Sequence, residues 1–282
     1  MAIGPIVRVI NGTAKYENFL GTTSAEEYRM TVNFGVNDLV DGGGGIDTLS
    51  YVNADRGVKV TMANGSKSGI TESAFATAQG TNPFSGPPVQ IETKVVTQFK
   101  NFENVTGSSF NDTITGNSTA NRIDGGAGAD TINGGDGADV IIGGKGADKL
   151  YGGEGADTFA FLSFLDSTSF NALSSQTNAS SAGMGLDLID DFRVGSDKID
   201  LSAIDANSAV DGNQAFRYVE DFTGQAGELR MTEFSRGPTI DTPGMFFTSV
   251  QGDIDGDGTG DFAIVVLTPF SLDSMTAGDL IL

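Results

Sequence analysis

A nine-residue repeat between residues 107 and 160 constrains the fold of this chain more than any other feature. Six consecutive units fit the register, and the last four follow the pattern Gly-Gly-x-Gly-x-Asp-x-apolar-x closely. Residues 125–133 are the first of these four, and two eroded copies, residues 107–115 and 116–124, precede them. A flexible glycine-rich linker would not keep aspartate at the sixth place and an apolar residue at the eighth. The repeat therefore predicts a regular solenoid.

Each unit divides into a turn and a very short strand. Glycine at the first, second and fourth places permits positive φ and close approach of neighbouring backbones. In the strand, the middle side chain points inwards and its two neighbours point outwards. Two units make an 18-residue coil, and coils stack as parallel strands about 4.8 Å apart. The predicted fold is all-β, a parallel β-roll whose inward residues are Ile114, Ile123, Ile132, Ile141, Leu150 and Phe159.

The sixth-place side chains should stack in two columns, one on each side of the roll. The first column is Asp112, Asp130 and Asp148, and the second is Asn121, Asp139 and Asp157. Carboxylates about 4.8 Å apart repel by roughly 3–4 kcal/mol at an effective dielectric constant near 20. A hard divalent cation between the turns removes this repulsion, and Ca²⁺ suits the turns best because it accepts six to eight oxygens, including backbone carbonyls. We therefore expect several calcium ions that are part of the fold.

The predicted metal positions in the roll are the sixth-place aspartates and the second- and fourth-place glycines. They are Asp47, Asp112, Asp130, Asp139, Asp148, Asp157, Gly126, Gly128, Gly135, Gly137, Gly144, Gly146, Gly153 and Gly155.

Eroded units also precede the main block. Residues 1–11 predict a lead-in strand, and four units in near-register follow, of which residues 42–50 form a full repeat. Glu17 and Glu26 hold the sixth place in the first two, and a glutamate is one methylene too long for a tight turn, which argues against calcium there. Residues 63–92, with three prolines, predict a surface loop for interaction or packing. One continuous roll is expected over residues 12–165.

Composition excludes several classes of function. The net charge of −21 makes nucleic acid and anionic membrane surfaces poor partners. The chain has no cysteine, which removes disulfides and thiol catalysis. It has no histidine, which removes the usual catalytic zinc ligands, the Ser-His-Asp triad and most general bases near neutral pH. No stretch is long enough to span a membrane.

The part of the chain after the repeats resembles a known family. Residues 166–186 predict a flexible loop, and the segment Asp187-Leu188-Ile189-Asp190-Asp191-Phe192 through Ser202 closely resembles the one that closes the β-roll in serralysin-type secreted metalloproteases. Residues 101–107 resemble the phrase that opens a block of RTX calcium-binding repeats. The resemblance covers roughly residues 107–282 and implies a β-roll, calcium binding and export. Asp187 and Asp191 are further predicted metal positions.

The same resemblance has a limit. Serralysin-type proteases carry three histidines on a zinc-binding helix in a preceding domain, and this chain has neither the histidines nor room for that domain. We therefore do not expect proteolysis. Residues 187–282 are expected to form a β-rich cap over the last coil, whose strand edges would otherwise lie open.

A second candidate metal loop lies near the end of the chain. Acidic residues stand at the first, third, fifth and ninth places of residues 253–261, with glycine at the sixth, as in the first part of an EF-hand loop. The predicted ligands are Asp253, Asp255, Asp257 and Asp261. The twelfth place holds Ile264 rather than a bidentate glutamate, and the flanks resemble strands. The alternative is an acidic, solvated hairpin.

Export is expected by a route other than an N-terminal signal. Residues 1–5 lack the basic and apolar segments of a secretory signal peptide. Residues 278–282, an acidic residue followed by aliphatic ones, resemble the uncleaved signal that type I secretion systems recognise. We expect an extracellular location, and we expect the last four residues to bury little surface.

Two classes of function remain open. The first is a non-enzymatic extracellular structural protein of a surface layer, matrix or filament, or an adhesin, which self-associates through the edge strands of residues 12–29. The alternative is a polysaccharide-acting enzyme or a carbohydrate-associated module, with cell-surface polysaccharide as a candidate partner. A pore-forming toxin would need an apolar helical region before the repeats, and the sequence has none.

Overall fold

A computed structural model describes nine stretches of the chain. They are residues 6–10, 18–30, 39–54, 56–62, 69–73, 95–167, 186–236, 245–267 and 274–282. Glu17 and most of the predicted loops at residues 63–92 and 166–186 lie outside the described residues.

The described residues form 22 short β-strands and two single-turn 3-10 helices, Phe164–Asp166 and Ala277–Asp279. The strands are β1 Ile6–Ile10, β2 Asn18–Leu20, β3 Glu26–Met30, β4 Leu39–Asp41, β5 Thr48–Ser50, β6 Val58–Thr61, β7 Gly69–Ser73, β8 Val95–Lys100, β9 Asn104–Thr106, β10 Thr113–Thr115, β11 Arg122–Asp124, β12 Thr131–Asp136, β13 Val140–Ile142, β14 Lys149–Glu154, β15 Thr158–Ala160, β16 Asp187–Ile189, β17 Lys198–Asp200, β18 Arg217–Tyr218, β19 Glu228–Arg236, β20 Met245–Asp253, β21 Phe262–Leu267 and β22 Leu280–Ile281. No helix in the described stretches is long and apolar enough to cross a membrane.

The strands assemble into two facing sheets. The nine-stranded sheet has the order β1-β3-β5-β9-β11-β13-β15-β17-β22. The thirteen-stranded sheet has the order β18-β19-β20-β21-β16-β14-β12-β10-β6-β7-β8-β4-β2. Consecutive repeats alternate between the two sheets, which is the winding of a β-roll. The predicted fold class is confirmed.

The register follows the repeat length. Ile114 lies beside Ile132 and Ile132 beside Leu150, while Ile123 lies beside Ile141 in the other sheet. Each step is 18 residues, two units of nine. The eighth-place side chains are completely buried between the sheets, from Ile114 to Phe159. In the repeats, the core is therefore built from the eighth-place side chains of the two facing sheets.

One antiparallel strand, β7, interrupts the regular winding. β7 pairs antiparallel with β6 on one side and with β8 on the other, so it lies within the thirteen-stranded sheet. Its residues, Gly69–Ser73, fall inside the segment that the sequence predicted as a surface loop. The loop prediction for residues 63–92 missed this strand. β7 lies between β6 and β8 and joins them into one sheet.

The strands after the repeats close one end of the roll. β16 and β17 continue the two parallel stacks, and β19, β20 and β21 add an antiparallel meander beside β16. β22 pairs with β17 and is the last strand of its sheet. Asp279 is 2% exposed and Leu280 is 8% exposed. The expectation that the last four residues bury little surface is wrong.

Candidate metal sites

The sixth-place side chains form two hydrogen-bonded columns, as the repeat predicts. In the first column, the backbone N–H of Asp112 donates to Oδ1 of Asp130 at 2.7 Å, and that of Asp130 donates to Oδ1 of Asp148 at 2.8 Å. The N–H of Asp148 donates in turn to Oδ1 of Asp187 at 2.8 Å. Oδ1 of each aspartate therefore accepts a hydrogen bond from the backbone of the preceding coil. This fixes the vertical spacing of the turns.

The second column is longer than the sequence predicted. The N–H groups of Asn121 and Asp139 donate to Oδ1 of Asp139 and Asp157, at 2.7 and 3.0 Å. Below them, the N–H of Asp47 donates to Oε2 of Glu103 at 2.8 Å. Above them, the N–H of Asp157 donates to Oδ1 of Asp197 at 3.0 Å.

Sequence reasoning missed Glu103 and Asp197 as members of the second column. Each precedes a short strand of the form x-apolar-x, Asn104-Val105-Thr106 and Lys198-Ile199-Asp200. A search for an acidic residue in front of that pattern, without the glycines, would have found both. A glycine turn is therefore not required for a residue to belong to the second column.

The second carboxylate oxygen separates full repeats from eroded ones. In every full repeat, Oδ2 of the sixth-place aspartate is buried and has no hydrogen-bond partner in the described residues. These atoms belong to Asp47, Asp130, Asp139, Asp148 and Asp157, and Oδ2 of Asp187 shares the property. An unpaired buried carboxylate oxygen is costly, and native structures rarely leave one without a ligand.

The eroded turns satisfy their own side chains. Oδ2 of Asp112 accepts the N–H of Ser108 at 2.6 Å, and its Oδ1 accepts both the Ser108 hydroxyl and the N–H of Val58. In the next unit, Oδ1 of Asn121 accepts the N–H of Asn117 at 2.9 Å. Serine and asparagine replace the second-place glycine in these two turns. In these two turns, protein groups donate hydrogen bonds to the sixth-place side chain, whereas Oδ2 has no such donor in the full turns.

Glycine is required in the full turns for two separate reasons. At Gly144 the φ angle is +91°, and a Cβ atom would overlap the carbonyl oxygen of Gly126 one coil below. At Gly143 a Cβ atom would overlap Oδ2 of Asp148. The unpaired oxygen therefore points back into the turn of its own unit, against a bare backbone.

Burial sets the electrostatics of the columns. Loss of hydration raises the pKa of Asp130 and Asp148 to about 7, with neighbouring carboxylates adding to the effect. It raises the pKa of Asp139 and Asp47 to about 6. The pKa of Asp187 lies well above its usual value for the same reason, with the charge of Asp148 as the next cause. Desolvation is the first cause of each of these shifts, and repulsion by neighbouring carboxylates acts in the same direction.

The two predicted cap positions behave differently from each other. Asp187 ends the first column with a buried, unpaired oxygen. Both oxygens of Asp191 accept backbone hydrogen bonds, from Gly152 at 2.8 Å and Gly153 at 2.9 Å. Asp191 therefore caps the turn below it, while Asp187 resembles the aspartates of the full repeats.

At the other end of the roll, Glu26 has hydrogen-bond partners within the protein. Its buried carboxylate accepts the N–H of Thr22 at 3.0 Å and the hydroxyl of Tyr28 at 2.7 Å. That glutamate at the sixth place does not bind calcium stays a prediction.

The acidic loop of residues 253–261 joins β20 to β21, a hairpin rather than a helix pair. Asp253, Asp255 and Asp261 bring carboxylate oxygens within 4.8 Å of one another. Asp257 is not part of this group, and its Oδ1 accepts the N–H of Thr259 at 2.7 Å. Three of the four predicted ligands therefore converge.

These arrangements can hold cations that prefer oxygen ligands. The full turns offer an unpaired carboxylate oxygen beside closely packed backbone carbonyls, and the hairpin loop offers three converging carboxylates. Neither offers nitrogen or sulfur ligands, since the chain has no histidine or cysteine. The ligand chemistry fits calcium.

Comparison with known proteins identifies a related family. The family model for the C-terminal domain of serralysin, peptidase M10, matches residues 16–271. No curated protein matches the chain at a significant level.

Two solution structures of modules from a mannuronan C5-epimerase of Azotobacter vinelandii are similar. The AlgE6R3 subunit is 29% identical over 61% of this chain and 78% of its own, with a TM-score of 0.40. The AlgE6R2 subunit is 28% identical over 63% of this chain and 91% of its own, with a TM-score of 0.41. At these TM-scores neither similarity bears on function.

Proposed function

The chain belongs to the peptidase M10 serralysin C-terminal family, whose RTX-type domains bind calcium, and we propose that calcium completes its fold at the turns of the full repeats. The observation that carries this proposal is the buried, unpaired Oδ2 atom in all five full repeats. The eroded turn of Asp112, which satisfies both of its carboxylate oxygens, is the internal contrast.

The residues that would hold calcium follow from that contrast. In the roll they are Asp47, Asp130, Asp139, Asp148 and Asp157 with the carbonyls of their glycine turns, together with Asp187 at the end of the first column. Bound calcium would supply positive charge and oxygen coordination to these atoms. A further site is proposed at Asp253, Asp255 and Asp261.

Circular dichroism tests this function directly. In chelator the chain should lose most of its β signal, because the stacked carboxylates repel and the core is one side chain thick. Millimolar calcium should restore the signal, and equal magnesium should not, because magnesium requires a stricter octahedral geometry and fewer ligands. A β signal that chelator leaves unchanged would contradict the assignment.

We further propose that the protein works outside the cell without an enzymatic activity of its own. Extracellular modules bind calcium at about 10⁻⁴ to 10⁻³ M, a concentration that cytosol does not provide. The matched family domain is the C-terminal one of serralysin, and the absence of histidine removes the usual bases of hydrolysis. Type I secretion machinery is the proposed export partner. Retention of the protein inside a producing cell that has a working type I system would contradict this proposal.

Self-association is the proposed structural role. β1 and β2 are the outermost strands of the two sheets at one end of the roll, and β22 and β18 are outermost at the other. Contact between such unlike ends is heterologous and propagates into filaments or sheets. The negative charge of the chain opposes growth until calcium neutralises the turns.

Light scattering across a calcium titration tests this role. The full chain should increase in mass with calcium, whereas a chain without residues 1–10, which lacks only β1, should not. A full chain that stays monomeric at millimolar calcium would contradict self-association and favour a carbohydrate-associated module.

A further inference from the structure

The strand β19 has an open edge near one end of the thirteen-stranded sheet. On one side it pairs with β20 over all nine of its residues. On its other side, β18 pairs only with Glu228 and Leu229, and no other strand of the described stretches pairs there. Residues 230–236 are therefore left without a neighbouring strand on that side. An open edge of this length is a template for pairing with another extended chain.

The direction of the backbone groups along this edge follows from one hydrogen bond. The carbonyl of Leu229 accepts the N–H of Val219, just after β18, at 2.8 Å, so residue 229 turns its carbonyl away from β20. In an antiparallel pair, alternate residues point their backbone groups to the same side. Met231, Glu233 and Ser235 therefore direct their N–H and carbonyl groups to the open edge. No strand in the described part of the chain lies there to bond them.

Phe234 is the large apolar side chain of this edge. Its ring stacks on that of Phe247 in β20, with the ring centroids 5.3 Å apart and the planes 12° apart. Phe234 is nevertheless 39% exposed, and Thr232 and Glu233 beside it are also exposed. Residues 232–236 contain one acidic and one basic residue, so this segment is neutral in a chain of net charge −21. The segment can therefore approach a second copy of itself without the repulsion that the rest of the surface would cause.

Only some registers allow two copies of β19 to pair antiparallel. Backbone groups that point to the edge must face one another, so the two-fold axis passes through one residue opposed to its own copy. An axis at Thr232 would extend the second copy over Leu229, where β18 already lies. An axis at Glu233 would oppose two like charges, which is destabilising. An axis at Phe234 avoids both problems and pairs residues 232–236 of the two copies.

We propose that two copies of the chain pair through β19 about a two-fold axis at Phe234, which joins their thirteen-stranded sheets into one. Phe234 faces Phe234 of the second copy, so the aromatic stack runs from Phe247 of one copy to Phe247 of the other. On each side of the axis, the N–H and carbonyl of Glu233 bond with those of Ser235 of the second copy. This contact closes after two copies, contains none of the proposed calcium ligands, and goes beyond the proposed calcium binding and end-to-end association.

Disulfide formation in the full chain tests this pairing, because the natural chain has no cysteine and a single-cysteine variant can link only two chains. In millimolar calcium and a glutathione redox buffer, Phe234→Cys should give at least about tenfold more linked dimer than Thr232→Cys. Opposed Cα atoms at the axis lie about 4.5 Å apart, within the range of about 4.4–6.8 Å that a disulfide needs. Thr232 is the matched control, since it is exposed on the same face of the strand but its two copies would lie roughly 14 Å apart.

A proline at the edge tests the backbone hydrogen bonds. Glu233→Pro removes an N–H that points away from β20, so the fold of each copy should tolerate it, as circular dichroism would check. In the Phe234→Cys background, Glu233→Pro should lower the yield of linked dimer at least about tenfold, because each dimer loses two hydrogen bonds. Glu233→Gln removes the same charge, keeps the N–H and should not lower the yield.

Two results would refute the pairing. One is equal linkage of Phe234→Cys and Thr232→Cys, and the other is linkage that Glu233→Pro does not reduce. Either result would leave the edge of β19 to a strand of another protein, and neither would bear on the proposed calcium turns.

Discussion

Substitution of Asp130 by asparagine should have opposite effects with and without calcium. The carboxylate keeps Oδ1 on the N–H of Asp112 and leaves Oδ2 buried and unpaired. The amide side chain of the Asp130→Asn variant would retain an acceptor for that N–H but would carry no charge. In chelator the change removes the cost of burying a charge, and in calcium it removes a ligand.

The size of the first effect follows from the pKa. Burial raises the pKa of Asp130 from 3.8 to about 7. At about 1.4 kcal/mol per pH unit, the ionised group destabilises the metal-free roll by about 4 kcal/mol at neutral pH. The Asp130→Asn variant should therefore retain more β signal in chelator than the parent and need more calcium to reach full signal.

Asp112→Asn is the matched control one coil away in the same column. Both oxygens of Asp112 accept protein hydrogen bonds. In asparagine one of these oxygens becomes an NH₂ group, which would face a donor and could not accept its hydrogen bond. This variant should lose about 1–3 kcal/mol of unfolding free energy in calcium, measured by urea denaturation, and should retain no more β signal in chelator than the parent. Identical behaviour of the two variants would refute the link between the unpaired oxygen and the metal.

Three further predictions follow from the same geometry. In chelator the roll should be most stable below about pH 4 and lose stability as the pH rises to about 7, because the column aspartates have higher pKa values folded than unfolded; circular dichroism across pH checks this. Asp139→Ala should raise the calcium midpoint and lower Tm much more than Asp261→Ala, and equal effects would mean that the roll is not the main calcium store. Gly144→Ala should lower the free energy of unfolding in urea by roughly 3 kcal/mol, because φ is positive and the added Cβ would overlap the carbonyl oxygen of Gly126. Gly195→Ala should lower it by only about 1 kcal/mol, because its φ is positive but nothing lies within 4 Å of the added Cβ. Equal losses for the two glycine variants would rule out the close approach of Gly126 as the reason for glycine at residue 144.

The regular half of the fold could be predicted because its information is local. Glycine, aspartate and one apolar residue recur at fixed places, and an 18-residue coil places Asp130 above Asp112 without further input. The inward residues, the repeat positions of both columns and the acidic loop follow from counting, whereas Glu103 and Asp197 of the second column do not. The sequence also shows that the turns offer oxygen ligands and neither histidine nor cysteine.

The irregular half depends on contacts between distant residues. β7 has no repeat signal, and its antiparallel pairing with β6 and β8 places it in the sheet. Burial of Asp279 and Leu280 depends on Gly195 and β17, about 80 residues earlier. The hydrogen bonding of both carboxylate oxygens of Asp112 could not be predicted either, because Ser108 donates to them from both its backbone and its side chain.

A crystal structure grown in calcium, with anomalous scattering used to locate the ions, tests the central claim most directly. The claim is that a buried, unpaired Oδ2 marks a calcium turn. Ions should lie beside Oδ2 of Asp47, Asp130, Asp139, Asp148, Asp157 and Asp187. No ion should be coordinated by the side chains of Asp112 or Asn121 in the two eroded turns. Full repeats without ions, or an ion coordinated by Oδ2 of Asp112, would contradict the account.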